Sequence, residues 1–131
     1  MESQKEIKDW REVKTMGKFA DAFRGLCVFW KTTRNLYTQI PVSILVVLLG
    51  FYFNISSFEW IALVFSIAIV LITEALNTAI EIDIDLTSPE YHPFARDTKD
   101  VAAAAVLLSV FTAVIVGVII FLPKFFQYVK M

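Results

Sequence analysis

The sequence predicts an all-α integral membrane protein, with an N-terminal amphipathic surface helix followed by three transmembrane helices per subunit. Two observations predict this fold class. The 131-residue chain is 57% hydrophobic, with a mean hydropathy of +0.64, whereas roughly 45–50% apolar content is usual in soluble domains. Long uncharged runs are separated by short polar turns, and most of the basic residues precede the first of these runs.

Residues 1–34 form the predicted surface-helix segment. Apolar residues such as Trp10, Phe23 and Trp30 recur there at helical spacing, with eight Lys and Arg residues between them. The pattern is typical of an amphipathic helix in the membrane interface, although a helix packed on a protein core shows it too. The segment lacks the pattern of a cleavable signal peptide, so we expect it to remain in the mature protein.

Residues 35–131 form the predicted transmembrane core, and the whole chain is expected to be one domain. The three spans are predicted at about 36–53, 58–85 and 93–122. Each is long enough to cross a bilayer. A polar turn at 54–57 lies between aromatic residues, and a turn at 87–93 contains two prolines. Four alanines at 102–105 give the third span a surface that a neighbouring helix can approach closely.

The distribution of charge predicts the orientation of the chain. Ten of the twelve Lys and Arg residues precede the first span or lie near the second connecting turn. The positive-inside rule then places the N-terminus and that turn in the cytoplasm. The net charge of −1 gives no indication of nucleic acid as a partner, and Cys27, the only cysteine, excludes an intramolecular disulfide.

The end of the second span carries a stripe of polar residues. Four of them fall within roughly 80° of one another on a helix, namely Glu74, Asn77, Glu81 and Asp85. Ionisable groups at membrane depth cost roughly 2.5–3.5 kcal/mol on insertion scales and by default mark a functional site. Polar contacts between helices and a proton or cation pathway are alternative interpretations of the stripe.

The carboxylates of this stripe fit phosphoryl transfer from a metal-bound nucleotide to an alcohol at the bilayer boundary. Glu81 and Asp85 are hard oxygen ligands of the kind that Mg²⁺ takes together with phosphate oxygens. Lys99 is suited to neutralise phosphate charge. Glu74 lies about 10 Å deeper than Glu81 along a helix, where a partly desolvated carboxylate suits general-base work on a hydroxyl.

The loop after the stripe supplies groups that could hold a nucleotide, although an ordinary solvated loop is the alternative. These groups are Glu90, Tyr91 and His92. The Lys99-Asp100 pair follows shortly after them, either as phosphate contacts or as an exposed charge pair. The chain has no Walker A motif and no Gly-rich loop, so any nucleotide site must be non-standard.

Three motifs resemble the prokaryotic diacylglycerol kinase family, closest to its undecaprenol kinase-like branch. They are E-A-L-N-T-A-I-E at 74–81, P-E-Y-H-P at 89–93 and K-D-V-A-A-A-A-V-L at 99–107, and the likeness covers roughly 18–124. The resemblance implies a small lipid kinase of the bacterial cytoplasmic membrane that uses ATP and Mg²⁺. It also implies a homotrimer with active sites shared between subunits, and undecaprenol or diacylglycerol as the acceptor.

The resemblance also implies roles for individual residues. Glu74 is similar in position to the catalytic base, and Glu81 to a metal ligand. The implied nucleotide and phosphate contacts are Asn77, Glu90, Tyr91, His92, Lys99 and Asp100. Lys14 falls where the family has a basic residue near the substrate, and it joins Glu81 and Asp85 among the candidate cofactor-binding residues.

Two positions depart from the family pattern. Thr33 stands where the family commonly has a glutamate that is a second metal ligand, and Asp21 stands where we expect an aromatic residue near the nucleotide. A catalytically degenerate lipid-binding protein is therefore an alternative function. A helical scaffold or a proton-coupled transporter subunit is a further, non-enzymatic alternative.

Overall fold

Four α-helices make up the regular secondary structure of residues 15–131, the part of the chain that the computed structural model describes. They are α1 (Thr15–Thr32), α2 (Leu36–Tyr52), α3 (Ser57–Thr87) and α4 (Pro93–Val129). No strand occurs within this range, so the predicted all-α class is confirmed for it. The described residues divide into two units, one that ends at Thr32 and one that runs from Thr33 to Met131.

Two of the helices, α3 and α4, are long and apolar enough to cross a membrane. Helix α2 has 17 residues, and a third candidate span is reached only if Gly17–Thr32 and α2 are counted as one. Large apolar side chains such as Phe65 and Leu107 are exposed along α3 and α4. Such exposure fits contact with lipid rather than with water. Together with the two to three candidate spans, it agrees with a helical membrane protein.

Local sequence signals explain where α3 begins. Asn54 adopts a left-handed conformation with φ of 49°, which Asn tolerates better than most residues, and the chain turns there. Ser56 then caps α3, because its hydroxyl accepts a hydrogen bond from the Glu59 N–H at 3.3 Å. The Glu59 carboxylate accepts one from the Ser56 N–H at 2.7 Å. This reciprocal capping box follows the pattern S-x-x-E in the sequence.

Helix α4 begins at Pro93, where the sequence predicts it. Proline suits the first helical position, and His92 Nδ1 accepts a hydrogen bond from the Phe94 N–H at 3.2 Å. The helix continues through Pro123 to Val129, beyond the predicted end of the third span at 122.

Helices α3 and α4 pack along much of their length. At one end the buried cluster contains Ile55, Leu63 and Ile120, and Lys124 pairs with Glu59 at 2.9 Å. Further along, Thr73 and Ser109 share a hydrogen bond of 2.8 Å. These contacts align α3 and α4 so that the end of α3 lies beside the start of α4.

Candidate active site

The carboxylate of Glu74 is the most buried polar group of the described residues, with 1% of the residue surface exposed. Its Oε1 accepts hydrogen bonds from Asn35 Nδ2 at 2.6 Å and from Gln39 Nε2 at 2.8 Å. Its Oε2 is also buried but has no hydrogen-bond partner within residues 15–131. Buried polar atoms are nearly always paired. An unpaired carboxylate oxygen at this position is therefore available to accept a hydrogen bond from a bound ligand.

Residues 33–39, which join α1 to α2 and form the first turn of α2, supply the donors to Glu74. Asn35 directly precedes α2, and Gln39 lies one helical turn further on. Thr33, just upstream, is buried and shares a hydrogen bond of 2.7 Å with Thr78. Thr78 lies one turn beyond Glu74 on α3, so this segment contacts the α3 face that carries Glu74 at two successive turns.

The predicted polar stripe divides into a buried part and an exposed part. Asn77 is 8% exposed, and its Nδ2 donates to Glu81 Oε1 at 3.1 Å. Its Oδ1, like Glu74 Oε2, is buried without a partner in the described chain. Glu81 and Asp85 lie in the exposed continuation of the stripe. The stripe therefore connects a buried carboxylate to the helix surface.

A pocket of about 270 Å³ lies between the end of α3 and the start of α4. Its lining consists of Ile84, Asp85, Ser88, Pro89, Glu90, Tyr91, His92, Ala95, Arg96, Lys99 and Asp100. Six of these are candidate nucleotide-binding residues from the sequence. Lys99 forms an ion pair with Asp85, and Arg96 donates to the Tyr91 hydroxyl at 3.4 Å. The pocket thus combines cationic, anionic and aromatic groups in one place.

The residues that could hold a metal ion are few. Within residues 15–131, no group of three or more His, Cys, Asp or Glu side chains is arranged around a metal position. Mg²⁺ is usually bound by one or two carboxylates together with phosphate oxygens and water. Glu81 is exposed and accepts a hydrogen bond from Asn77 Nδ2 at 3.1 Å, so it is one carboxylate with which such an ion would fit.

The structure and the sequence select overlapping sets of residues. Glu74, Asn77 and Glu81 lie along one face of α3, and the remaining described candidates surround the pocket. Lys14 lies outside the described residues. Sequence reasoning missed Asn35 and Gln39 as partners of Glu74. The available signal was two amide side chains one turn apart at the start of an otherwise apolar helix.

Long apolar helices and a buried carboxylate near a charged surface pocket define a helical membrane protein with a candidate enzymatic site. The model of the prokaryotic diacylglycerol kinase family matches residues 20–121, so the chain belongs to this family, and the resemblance noted in the sequence is confirmed. Members of this bacterial membrane family are named lipid kinases. The protein is accordingly an enzyme of the lipid kinase class.

Three relatives illustrate the similarity. The undecaprenol kinase of Bacillus subtilis (strain 168) is 37% identical over 106 residues, which cover 81% of this chain and 86% of the relative. A diacylglycerol kinase of Synechocystis sp. is 35% identical over 106 residues, covering 80% of this chain and 61% of the relative. The diacylglycerol kinase of Escherichia coli (strain K12) is 29% identical over 104 residues, which cover 79% of this chain and 85% of the relative.

Proposed function

We propose that this protein transfers the γ-phosphoryl group of ATP to the hydroxyl of a membrane lipid alcohol, either undecaprenol or diacylglycerol. The observation that carries the proposal is the carboxylate of Glu74. It is buried, it is held at Oε1 by two amide donors, and its Oε2 has no partner among the described residues.

In the proposed reaction, Glu74 Oε2 takes the proton of the lipid hydroxyl. The alcohol oxygen then forms a bond to the γ-phosphorus, the bond from that phosphorus to the β–γ bridging oxygen breaks, and ADP leaves. A positioned general base of this kind typically contributes a factor of about 10²–10⁴ in rate. The products are the lipid phosphate and ADP.

The pocket between α3 and α4 is the proposed nucleotide site. Lys99 would balance negative charge on the phosphates, and Asp100, Glu90, Tyr91 and His92 would contact the nucleotide. Asp85 lies eleven residues beyond Glu74, about 16 Å along α3, and Asn77 and Glu81 lie between them. The phosphates would therefore extend along this face of α3 towards Glu74. Mg²⁺ bound with them at Glu81 would supply charge neutralisation.

The site belongs, in this proposal, to a homotrimer in the bacterial cytoplasmic membrane, with the pocket on the cytoplasmic side. The basic residues near the second connecting turn support this orientation. Membership of the prokaryotic diacylglycerol kinase family supports the assembly. Lys14 is proposed to lie near the substrate, supplied by the N-terminal surface segment.

The test is phosphate transfer from labelled ATP by the purified protein in mixed micelles. Undecaprenol and diacylglycerol are offered separately, each with and without Mg²⁺. We expect Mg²⁺-dependent transfer to one of the two lipids, which identifies the acceptor. Lack of transfer to either lipid by a folded protein would contradict the proposal.

A second candidate function is lipid binding without phosphorylation. The observation that favours it is Thr33, an uncharged residue buried against Thr78 at a position where the family commonly has a metal-binding glutamate. The same assay with a Thr33→Glu variant separates the two functions. Transfer that occurs only in the variant would mean that the metal site of the natural chain has decayed.

A further inference from the structure

We infer that Asn35 and Gln39 are positioning residues, which fix the Glu74 carboxylate in one orientation and leave its Oε2 free for the substrate hydroxyl. The inference deepens the proposed function and rests on it. It concerns two side chains that neither the polar stripe nor the nucleotide pocket includes.

The first argument is the unequal treatment of the two carboxylate oxygens. A carboxylate offers about four acceptor positions, shared between its oxygens. Here both donors bond to Oε1, at 2.6 and 2.8 Å, while the buried Oε2 receives none from the described residues. Donors that served only to satisfy a buried group would be expected on both oxygens. Two donors on one oxygen instead fix the direction in which the other oxygen points.

The second argument is the hydrogen bonding of the Asn35 and Gln39 side chains themselves. Asn35 occupies the N-cap position of α2, where an Asn side chain ordinarily accepts a hydrogen bond from the first turn. Its side chain makes no such bond, since the first N–H groups of α2 already bond to the backbone carbonyls of residues 33–35, and its amide donates to Glu74. Gln39 Oε1 is buried without a partner in the described chain, which is unfavourable. The contact with Glu74 is therefore accompanied by an unsatisfied buried acceptor at Gln39, as is typical of functional sites.

The third argument is that the residues just before α2, 33–35, are attached to α3. Thr33 bonds to Thr78 at 2.7 Å, one helical turn from Glu74. Thr33 lies two residues before Asn35 in the sequence. Its contact with Thr78 therefore fixes where residues 33–35 lie along α3. The amide of Asn35 is therefore held at the depth of the carboxylate.

The experiment compares three variants of the full-length protein. Gln39→Glu keeps the shape but replaces the N–H donors with a carboxylate that faces Glu74. Gln39→Met removes the donor without adding charge. Asn35→Asp replaces the other donor with a carboxylate at an exposed residue, where solvent screens the added charge and the risk to folding is small. The matched controls are Gln127→Glu and Gln127→Met, at an exposed position near the end of α4.

We expect kcat to fall about 100-fold in Gln39→Glu and about tenfold in Gln39→Met and Asn35→Asp, because a misplaced base loses reactivity steeply. The KM for ATP should stay within twofold, since a positioning role for the base affects the chemical step. The Gln127 variants should retain the wild-type kcat. Circular dichroism and unfolding curves establish that each variant is folded.

The outcomes separate this inference from the proposed function. A normal kcat in folded Gln39→Glu and Asn35→Asp, with an active wild-type protein, overturns the inference and leaves the lipid kinase reaction standing. A parallel loss of kcat and of ATP affinity also overturns it, because that result indicates a general structural role. Absence of phosphate transfer by the folded wild-type protein overturns the proposed function, and the positioning role with it.

Discussion

The two ends of the α3–α4 pair differ in how completely the polar side-chain atoms nearby find hydrogen-bond or ion-pair partners. At the end near Leu63 and Ile120, apolar side chains are buried together, and Glu59 has partners for both carboxylate oxygens. Towards the other end, where the start of α2 meets α3, each of three neighbouring residues of the described chain has a buried oxygen without a partner, namely Gln39, Glu74 and Asn77. The first end stabilises the helix pair, whereas the second leaves acceptors available for a ligand. Unsatisfied groups of this kind are expected where a protein carries out its function.

The largest effect that tests this comparison is expected for Glu74→Gln. The amide keeps the shape of the carboxylate but cannot accept the substrate proton, so we expect turnover to fall by a factor of about 10²–10⁴. The free energy of unfolding should hardly change, because the amide oxygen can still accept the hydrogen bonds from Asn35 and Gln39. Lipid phosphorylation and thermal unfolding are measured on the same preparation. Near-wild-type turnover would exclude Glu74 as the base.

A smaller effect is expected for Lys99→Gln in the pocket. Loss of a cation next to the phosphates should lower kcat/KM for ATP by about 10–100-fold, since such groups stabilise charge that develops during transfer. Stability should hardly change, because the ion pair of Lys99 with Asp85 is partly exposed. Lys130→Gln, at the exposed end of α4, is the matched control. Equal kinetic constants in the Lys99 and Lys130 variants would exclude a role for Lys99 in ATP binding or phosphate transfer.

The smallest effect concerns the apolar end and uses two helical glycines. A Cβ on Gly50 would lie 2.8 Å from Trp60 Cη2 and 3.1 Å from Ile55 Cδ1, whereas a Cβ on Gly117 meets no atom within 4 Å. Gly50→Ala should therefore lower the free energy of unfolding by about 1 kcal/mol, since overpacking outweighs the helix preference of Ala. Gly117→Ala should raise it by up to about 1 kcal/mol.

Chemical unfolding in detergent measures both glycine variants, and their kinase activity is measured in parallel. Folded Gly50→Ala should retain its kcat, since the substitution lies at the end away from Glu74. A loss of activity at unchanged stability would show that the two ends are coupled. It would then be wrong to assign stability to one end and chemistry to the other.

Much of this organisation could be predicted from local sequence. Pro93 marks the start of α4, and a polar turn separates α2 from α3 where the sequence indicates it. The 3.6-residue period places Glu74 and Glu81 on one face. It does not give their depth, so the burial of Glu74 and the exposure of Glu81 required the packed helices. Pro123 also shows a limit of local reasoning, because the helix continues through it although proline disfavours helix interiors.

The partners of Glu74 could not be predicted in this way. Asn35 and Gln39 are 39 and 35 residues distant from it in sequence. Hydropathy and helical period describe one element at a time, whereas these contacts depend on how α2 meets α3. The roles of the site residues in catalysis stay predictions until the variants are measured.

The spacing of charges along α3 has a consequence for the lipid environment. The helix rises about 33 Å from Glu59 to Glu81, close to the hydrocarbon thickness of roughly 30 Å in a typical bilayer. Glu74 would then lie about 10 Å inside one edge, so the lipid hydroxyl must lie below the headgroup boundary when it meets the carboxylate. A change in bilayer thickness would change the depth that the hydroxyl has to reach. We therefore expect the rate of lipid phosphorylation to depend on bilayer thickness.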